Sequence, residues 1–418
     1  MAGERSVRGY VRAVGRGGDA VVETPTGIVF MPGALPGEHV ELTAVQPTRG
    51  AARGRLKSIL IASTERRKPP CVEALRCGGC PLMIASPDLQ RDIKQAFLRD
   101  ACHGLPGGDD TEIEWVASPL DLGYRRRARL AWHHETIGYR QLHSKRVSDI
   151  EECIVLIDPL RAGWKEVRGA LASSLRGTGE IQLQLTGTDR VVVDLATDQD
   201  QPPELFEACS ALSERPVIAG VRLRTANPGR AATWGDTQVE VRLAEGETLE
   251  GPSGAFSQAN DAVNLALVAT VVELAEPKDA RVLELHCGIG NFTMGLAARA
   301  KTLVAVEQDP DAARACQRNL KHGGLEARVT VGDANRPPEG RYDVIVLDPP
   351  RQGARELFER SGLLPGPKRV VYVSCDTATL ARDLGLATSA GYRIDRLVGF
   401  DMFPQTAHLE SVVRLVRA

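Results

Sequence analysis

The chain lacks a strong charge of either sign. Its 52 Lys plus Arg stand against 54 Asp plus Glu in 418 residues, a formal net charge of −2, so the global balance carries no signature of a nucleic-acid partner. No apolar run is long enough to span a bilayer, no stretch reads as a secretory leader, and no clear internal repeat or low-complexity tail is present. These absences point away from membrane, secreted and repeat classes and toward a cytoplasmic protein. Nine cysteines are too few for a disulfide framework in so long a chain. Three of them cluster tightly, which suits metal ligation and catalysis in a reducing compartment.

What is present divides the chain in three. With 43% hydrophobic residues the sequence can bury more than one core. Residues 1–62 alternate short β-rich runs with Gly/Pro turns, the pattern of a small closed barrel. Residues 1–68 carry eleven Lys plus Arg against six Asp plus Glu, a local balance of +5. Arg8, Arg12, Arg16, Arg49, Arg53, Arg55 and Lys57 can track a phosphate backbone or simply solvate the barrel, and the sequence weighs these evenly. A mixed, strand-rich region covers 69–250. Its residues 85–102 predict a helix that opens at Ser-Pro-Asp and places Leu89, Ile93, Ala96 and Phe97 on one face.

Cys71, Cys77 and Cys80, with Gly78-Gly79 in the shorter gap, can converge on one centre, and Cys153 is available as a fourth thiolate. Spacing alone leaves zinc and iron–sulfur open, since both accept four cysteines. Cys102, Cys209, Cys287 and Cys316 read as small core residues. Tyr124–Arg129 holds four arginines in five positions. As a strand it would turn one arginine pair toward carboxylates and free the other to clamp phosphates, and nucleic-acid contact or a structural role in the cysteine-rich region is favoured over a solvated basic loop.

Residues 251–418 read as helix, then alternating strands and helices, an open and mostly parallel sheet. Strands are expected at 281–287, 302–308, 327–332, 342–348 and 368–375, with a closing antiparallel hairpin. Ligands in such sheets bind outside the carboxyl ends of the strands, where Glu307, Asp333, Asp348 and Cys375 fall. The glycine turn in VLELHCGIGN (282–291) lets a ligand approach the main chain, and Glu307 suits the ribose hydroxyls of a nucleoside cofactor. Cys375 ends the run VVYVSC just before a helix capped by Asp376, a position expected to lower its thiol pKa and make it a nucleophile.

VLDPPRQG (346–353), YVSCDTATLARDL (372–384), DMFPQTAHLE (401–410), CVEALRCGGC (71–80) and FSQAN (256–260) together resemble the RNA uracil-C5 methyltransferases that use S-adenosylmethionine. The resemblance spans nearly the whole chain. It implies an α/β chain in which a Rossmann-like methyltransferase domain (251–418) follows an N-terminal TRAM/OB-like β-barrel (1–62) and a central mixed α+β iron–sulfur domain (69–250). It further implies a [4Fe–4S] cluster on Cys71, Cys77, Cys80 and Cys153, and a cofactor site at Gln258, His286, Asn291, Glu307, Asp333 and Asp348. Cys375 matches the family nucleophile and Glu410 its proton-abstracting base. The implied product is 5-methyluridine in structured RNA, foremost 23S ribosomal RNA, made by a cytoplasmic monomer with no DNA or membrane partner. Transfer RNA as the substrate, or a cluster-bearing RNA-binding factor without turnover, are the alternatives.

Several positions depart from the family pattern. His286 stands where Phe or Tyr is usual, and a charged imidazolium would sit poorly beside a sulfonium. Asp376-Thr377 replaces Asn-Pro after the nucleophile, adding a carboxylate that opposes thiol ionisation. Gln405 and Ala407 occupy a commonly His-rich loop. Asp348-Pro349-Pro350 is similar to the motif of amino-group methyltransferases, but Arg351 fills the slot where those enzymes carry a base-stacking aromatic.

Overall fold

The computed structural model describes residues 6–45, 52–226, 231–243, 246–360 and 366–418. Arg49 lies outside them.

Five strands, β1 (Ser6–Val14), β2 (Ala20–Thr24), β3 (Gly27–Met31), β4 (His39–Val45) and β5 (Ala52–Ile61), close into a barrel in the order β1-β2-β3-β5-β4. Val11, Val22, Val29, Met31, Val40 and Leu42 fill it. Removing both edges by closure satisfies the backbone of a sheet too small to be covered otherwise. At Gly9 a Cβ would lie 2.8 Å from the Glu23 carbonyl oxygen, so only glycine lets the strands cross that closely. Glu38 is fully buried and accepts both the Leu35 amide and a two-pronged contact from Arg66, which fastens the barrel to the chain that leaves it.

A helix α1 (Pro87–Cys102) follows, capped by Ser86, whose hydroxyl accepts the Leu89 amide at 3.1 Å. Strand β6 (Ile113–Val116) comes next, and then β7 (Ala128–His133), β8 (Thr136–Arg140), β9 (Val147–Asp149), α2 (Asp158–Leu171), β10 (Thr178–Leu185), β11 (Val191–Ala196), α3 (Pro203–Ser213), β12 (Ile218–Arg224) and β13 (Ala231–Gly235). Seven of these strands form one sheet, β13-β12-β11-β10-β7-β8-β9. Trp132, Trp164, Ile181, Leu183, Val193 and Leu195 make its core under α2 and α3. Strands β14 (Gln238–Arg242) and β15 (Thr248–Pro252) pair as a separate hairpin.

The rest is the expected alternating unit: α4 (Asp261–Ala275), β16 (Arg281–Leu285), α5 (Thr293–Ala297), β17 (Thr302–Glu307), α6 (Pro310–His322), β18 (Arg328–Val331), β19 (Val344–Leu347), α7 (Arg355–Arg360), β20 (Arg369–Ser374), α8 (Thr377–Ser389), β21 (Tyr392–Phe400) and β22 (Glu410–Arg417). The sheet runs β18-β17-β16-β19-β20-β22-β21-β6. Its first five strands are parallel, and β22 is antiparallel to both neighbours. Leu285 pairs with Val306 and Leu347, and Leu347 with Tyr372, so these strands end along one rim.

Two elements differ from the sequence reading. Strand β6, far from the sheet in sequence, completes its edge by parallel pairing with β21. Of Tyr124–Arg129, only Ala128 and Arg129 enter a strand. Among the described residues no helix is long and apolar enough to cross a membrane.

Candidate active site and cysteine centre

The loop after β16 supplies the first wall. Gly288 and Gly290 adopt φ of 57° and 110°, which glycine takes without strain, and His286 adopts a φ of 63°, rare for a residue with a side chain; together they turn the chain across the strand ends. Glu307, at the end of β17, accepts the Gly288 amide at 2.9 Å and the Asp309 amide at 2.8 Å. It therefore fixes this turn, and its carboxylate keeps lone pairs for a further donor. Gln258, His286, Asn291 and Asp348 line a cavity of about 40 Å³ with Phe256 and Phe292. Asn291 is held by a reciprocal amide pair with Asn264 at 2.9 and 3.0 Å. The Gln258 side chain is buried, and its Oε1 has no hydrogen-bond partner. Such an orphaned acceptor is costly unless a ligand donor meets it. Burial lowers the His286 pKa, so its ring stays neutral near pH 7 and the clash between imidazolium and sulfonium does not arise. Glu307 and Asp333 do not line this cavity; Glu307 ends β17 and Asp333 follows the adjacent β18, exposed, with one oxygen accepting the Asn335 amide.

Beside the cavity stand the reacting groups. Cys375 directly follows β20, and Asp376 caps α8 by accepting the Ala378 and Thr379 amides at 2.9 and 3.0 Å. The expected drop in the Cys375 pKa is not found. Burial, then the carboxyls of Glu410 and Asp348, push the thiol up to about 12, against the pull of Arg351. Two facing acids and desolvation outweigh the helix end. Glu410, the first residue of β22, is buried and held well above the usual carboxylate range by desolvation and then by Asp348. Burial raises Asp348 to about 7. The fold thus brings Cys375, Glu410 and Asp348 within electrostatic reach of one another, with the exposed Arg351 as the nearby cation.

A second cavity, of about 50 Å³, is lined by Cys71, Cys77, Cys80 and Cys153. Burial raises Cys77 to about 11, although the Gly79 amide donates to its sulfur, and burial also raises Cys80 and Cys153. Among the described residues no group of three or more His, Cys, Asp or Glu side chains is arranged to hold a single metal ion. The other four cysteines without a proposed role, Cys102, Cys209, Cys287 and Cys316, are buried in cores as expected.

The arginines of the run meet partners within the chain. Arg125 lines the cysteine cavity, Arg126 pairs with Asp261 and Asp189, Arg127 meets Gln182 at 2.9 Å and lies 5.3 Å from the Phe256 ring centre, and Arg129 meets Glu180. Arg126 and Arg127 join the central sheet to α4 and to the cavity wall, whereas Arg129 stays exposed in its pair with Glu180 on the same sheet. In the barrel, Arg12, Arg53 and Lys57 pair with Glu23, Asp19 and Glu41, whereas Arg8, Arg16 and Arg55 are exposed and form no ion pair among the described residues. The sequence reading also missed the polar residues that hold the loop before Glu410. Lys94 is fully buried on α1 and donates to Asp401 at 2.6 Å and to the Phe403 carbonyl at 3.0 Å. Lys94, one turn after Gln90 on the helix face that also carries Ile93, Phe97 and Leu98, was the available signal.

Residues 247–360 match the methyltransferase small domain, and residues 339–418 match tRNA (uracil-5-)-methyltransferase. The chain is 35% identical to the 23S rRNA (uracil(1939)-C(5))-methyltransferase RlmD of Pectobacterium atrosepticum, over 92% of this chain and 88% of that protein. It is equally identical to the RlmD of Alkalilimnicola ehrlichii, over 92% and 90%. Among solved structures, the tRNA (uracil-54, C5)-methyltransferase of Pyrococcus abyssi in complex with S-adenosyl-L-homocysteine shares the fold, with a TM-score of 0.74, 24% identity and coverage of 98% of this chain and all of that one.

Proposed function

The chain belongs to the RNA uracil-C5 methyltransferase family, and from that premise we propose that it makes 5-methyluridine in 23S ribosomal RNA through a covalent adduct on Cys375. The observation that carries the reading is the meeting of Cys375, Glu410 and Asp348 beside a cavity lined by Gln258, whose buried side-chain oxygen has no partner.

Carbon 5 of uracil is too weak a nucleophile to be alkylated directly. In this reading the Cys375 thiolate adds to carbon 6, which builds electron density at carbon 5, and Arg351 offsets the enolate charge. S-adenosylmethionine, when bound, supplies the electrophilic methyl group. Gln258, His286, Asn291 and Asp348 would hold it at the cavity, with Glu307 and Asp333 reaching it from the neighbouring strand ends; the orphaned Gln258 oxygen and the neutral His286 suit a cationic ligand that carries donors. Glu410 then takes the proton from carbon 5, the bond between sulfur and carbon 6 breaks, and the Cys375 thiolate leaves. The uridine must first leave its stack, at a cost of a few kcal/mol that RNA contacts elsewhere offset.

Cys71, Cys77, Cys80 and Cys153 suit a [4Fe–4S] centre. They surround one cavity without forming the close set that a single ion with metal–sulfur bonds of about 2.3 Å requires. The centre would supply four metal–thiolate bonds that cross-link a loop-rich segment, a structural role. The proposal places a TRAM-like barrel, an iron–sulfur region and the catalytic sheet in a cytoplasmic monomer. The relatives named for 23S RNA favour that substrate, and the shared fold of a tRNA enzyme supports transfer RNA as the second reading. Incubation of the purified protein with labelled S-adenosylmethionine and unmodified 23S and transfer RNA decides between them. Label in 5-methyluridine of 23S RNA is the expected result; label confined to transfer RNA, or in no uridine, overturns the assignment.

A further inference from the structure

The nine residues 401–409 that lead from β21 into Glu410 are held by α1, through Lys94 and Gln90, and by groups next to the cysteine centre. Gln405 is the focus. It is fully buried, has a φ of 71° that a side chain rarely adopts, and uses every polar atom it has. Its amide donates to Gln90 Oε1 at 2.8 Å, and its carbonyl accepts the Leu82 amide at 3.0 Å. Its side-chain oxygen accepts Arg67 at 2.6 Å and Gln90 at 3.0 Å, and its side-chain nitrogen donates to the Asp121 carbonyl at 3.0 Å. Leu82 lies two residues after Cys80, and Arg67 four before Cys71. One residue away, the Pro404 carbonyl accepts Tyr124 at 3.1 Å, and the guanidinium of Arg125, which lines the cysteine cavity, sits 5.9 Å from the Phe403 ring centre.

We propose that Gln405 is a positioning residue for Glu410, and that the four-cysteine centre governs methyl transfer by keeping the socket around Gln405 assembled. The inference rests on the reading of Glu410 as the base that removes the carbon-5 proton. A strained backbone held by buried polar contacts on all sides is over-determined; loss of the side chain frees the loop, and a base displaced by about 1 Å loses on the order of 100-fold in rate. Because Cys375 and the cofactor cavity are built by other elements, addition and methylation persist while proton removal slows. The methylated adduct, with sulfur on carbon 6 and the proton still on carbon 5, then accumulates.

The test uses Gln405→Gly, which relieves the φ strain and removes only the side-chain contacts, with Glu410→Gln as the reference and ordinary uridine RNA as substrate. Gln405→Gly should lower kcat about 10- to 100-fold with KM for RNA and cofactor affinity within about twofold, and should leave an SDS-stable, methyl-bearing protein–RNA complex. An unchanged kcat, a rise in KM alone, or no stable complex overturns the positioning role. If Glu410→Gln itself turns over normally, it is the assignment of the base that fails. The link to the centre is read by hydrogen exchange, independently of activity: removal of iron from the intact protein should speed amide exchange across 402–409 at least tenfold, as Gln405→Gly does, and unchanged protection there overturns it.

Discussion

Replacing Lys94 by Met removes a charge whose surroundings the structure defines completely enough to set a magnitude. The lysine side chain has no exposed surface, and its ammonium meets the Asp401 carboxylate at 2.6 Å and the Phe403 carbonyl at 3.0 Å. Burial pulls the Lys94 pKa down, and the adjacent Asp401 carboxylate opposes that pull. Breaking a buried pair from one side typically costs about 3–5 kcal/mol. Asp401 is 21% exposed, so water partly replaces the lost partner, and the loss for Lys94→Met should fall near the lower end, about 3 kcal/mol. Asp401→Asn keeps an acceptor for the ammonium and should cost less, about 1–2 kcal/mol. The double variant Lys94→Met/Asp401→Leu removes both charges together, so its loss should undercut the sum of the corresponding single losses by about 2 kcal/mol. Urea unfolding followed by far-UV circular dichroism measures all of these. A Lys94→Met loss below about 1 kcal/mol, or strictly additive losses, would refute the argument that this pair anchors the loop before Glu410.

The raised acids predict an alkaline rise in activity. With Cys375 pushed up to about 12, the thiolate fraction grows tenfold per pH unit across neutrality, so log kcat/KM should climb from pH 7 to 9, and a flat profile there would contradict the account. Asp348 carries a stability consequence with a definite sign. Its pKa is raised in the fold to about 7, so its contribution is complete below the unfolded value near 3.8 and is lost as pH rises through 7. Asp348→Asn should therefore raise Tm more at pH 8 than at pH 5, and equal shifts at the two pH values would count against a buried, reluctantly ionised carboxyl.

The parallel strands were legible because VLEL, LVAV, VIVL and VVYV are short apolar runs that end in turn or acidic residues, and the structure places each as a strand of the eight-stranded sheet. The barrel and the Asp376 cap were legible for similarly local reasons. Strand β6 was not, because four residues carry little periodicity and its partner β21 lies some 280 residues on. The direction of the Cys375 shift was missed because the helix end is written beside the cysteine, whereas the opposing Glu410 lies 35 positions away and burial is a tertiary property. For Tyr124–Arg129 the expected tie to the cysteine region holds at Arg125, but the partners of Arg126 and Arg127 come from distant segments that the run itself does not announce. At Gln405 the sequence marked a departure, yet its function depends on a left-handed backbone and a socket that no local pattern encodes.

The central claim is that the Cys375 sulfur bonds to the pyrimidine. Trapping the enzyme with S-adenosylmethionine on RNA bearing 5-fluorouridine blocks the final proton removal, and peptide mass mapping then locates the attachment. The account predicts a methylated nucleotide joined to Cys375, and no such species with Cys375→Ala; an adduct on any other side chain, or none, would contradict it.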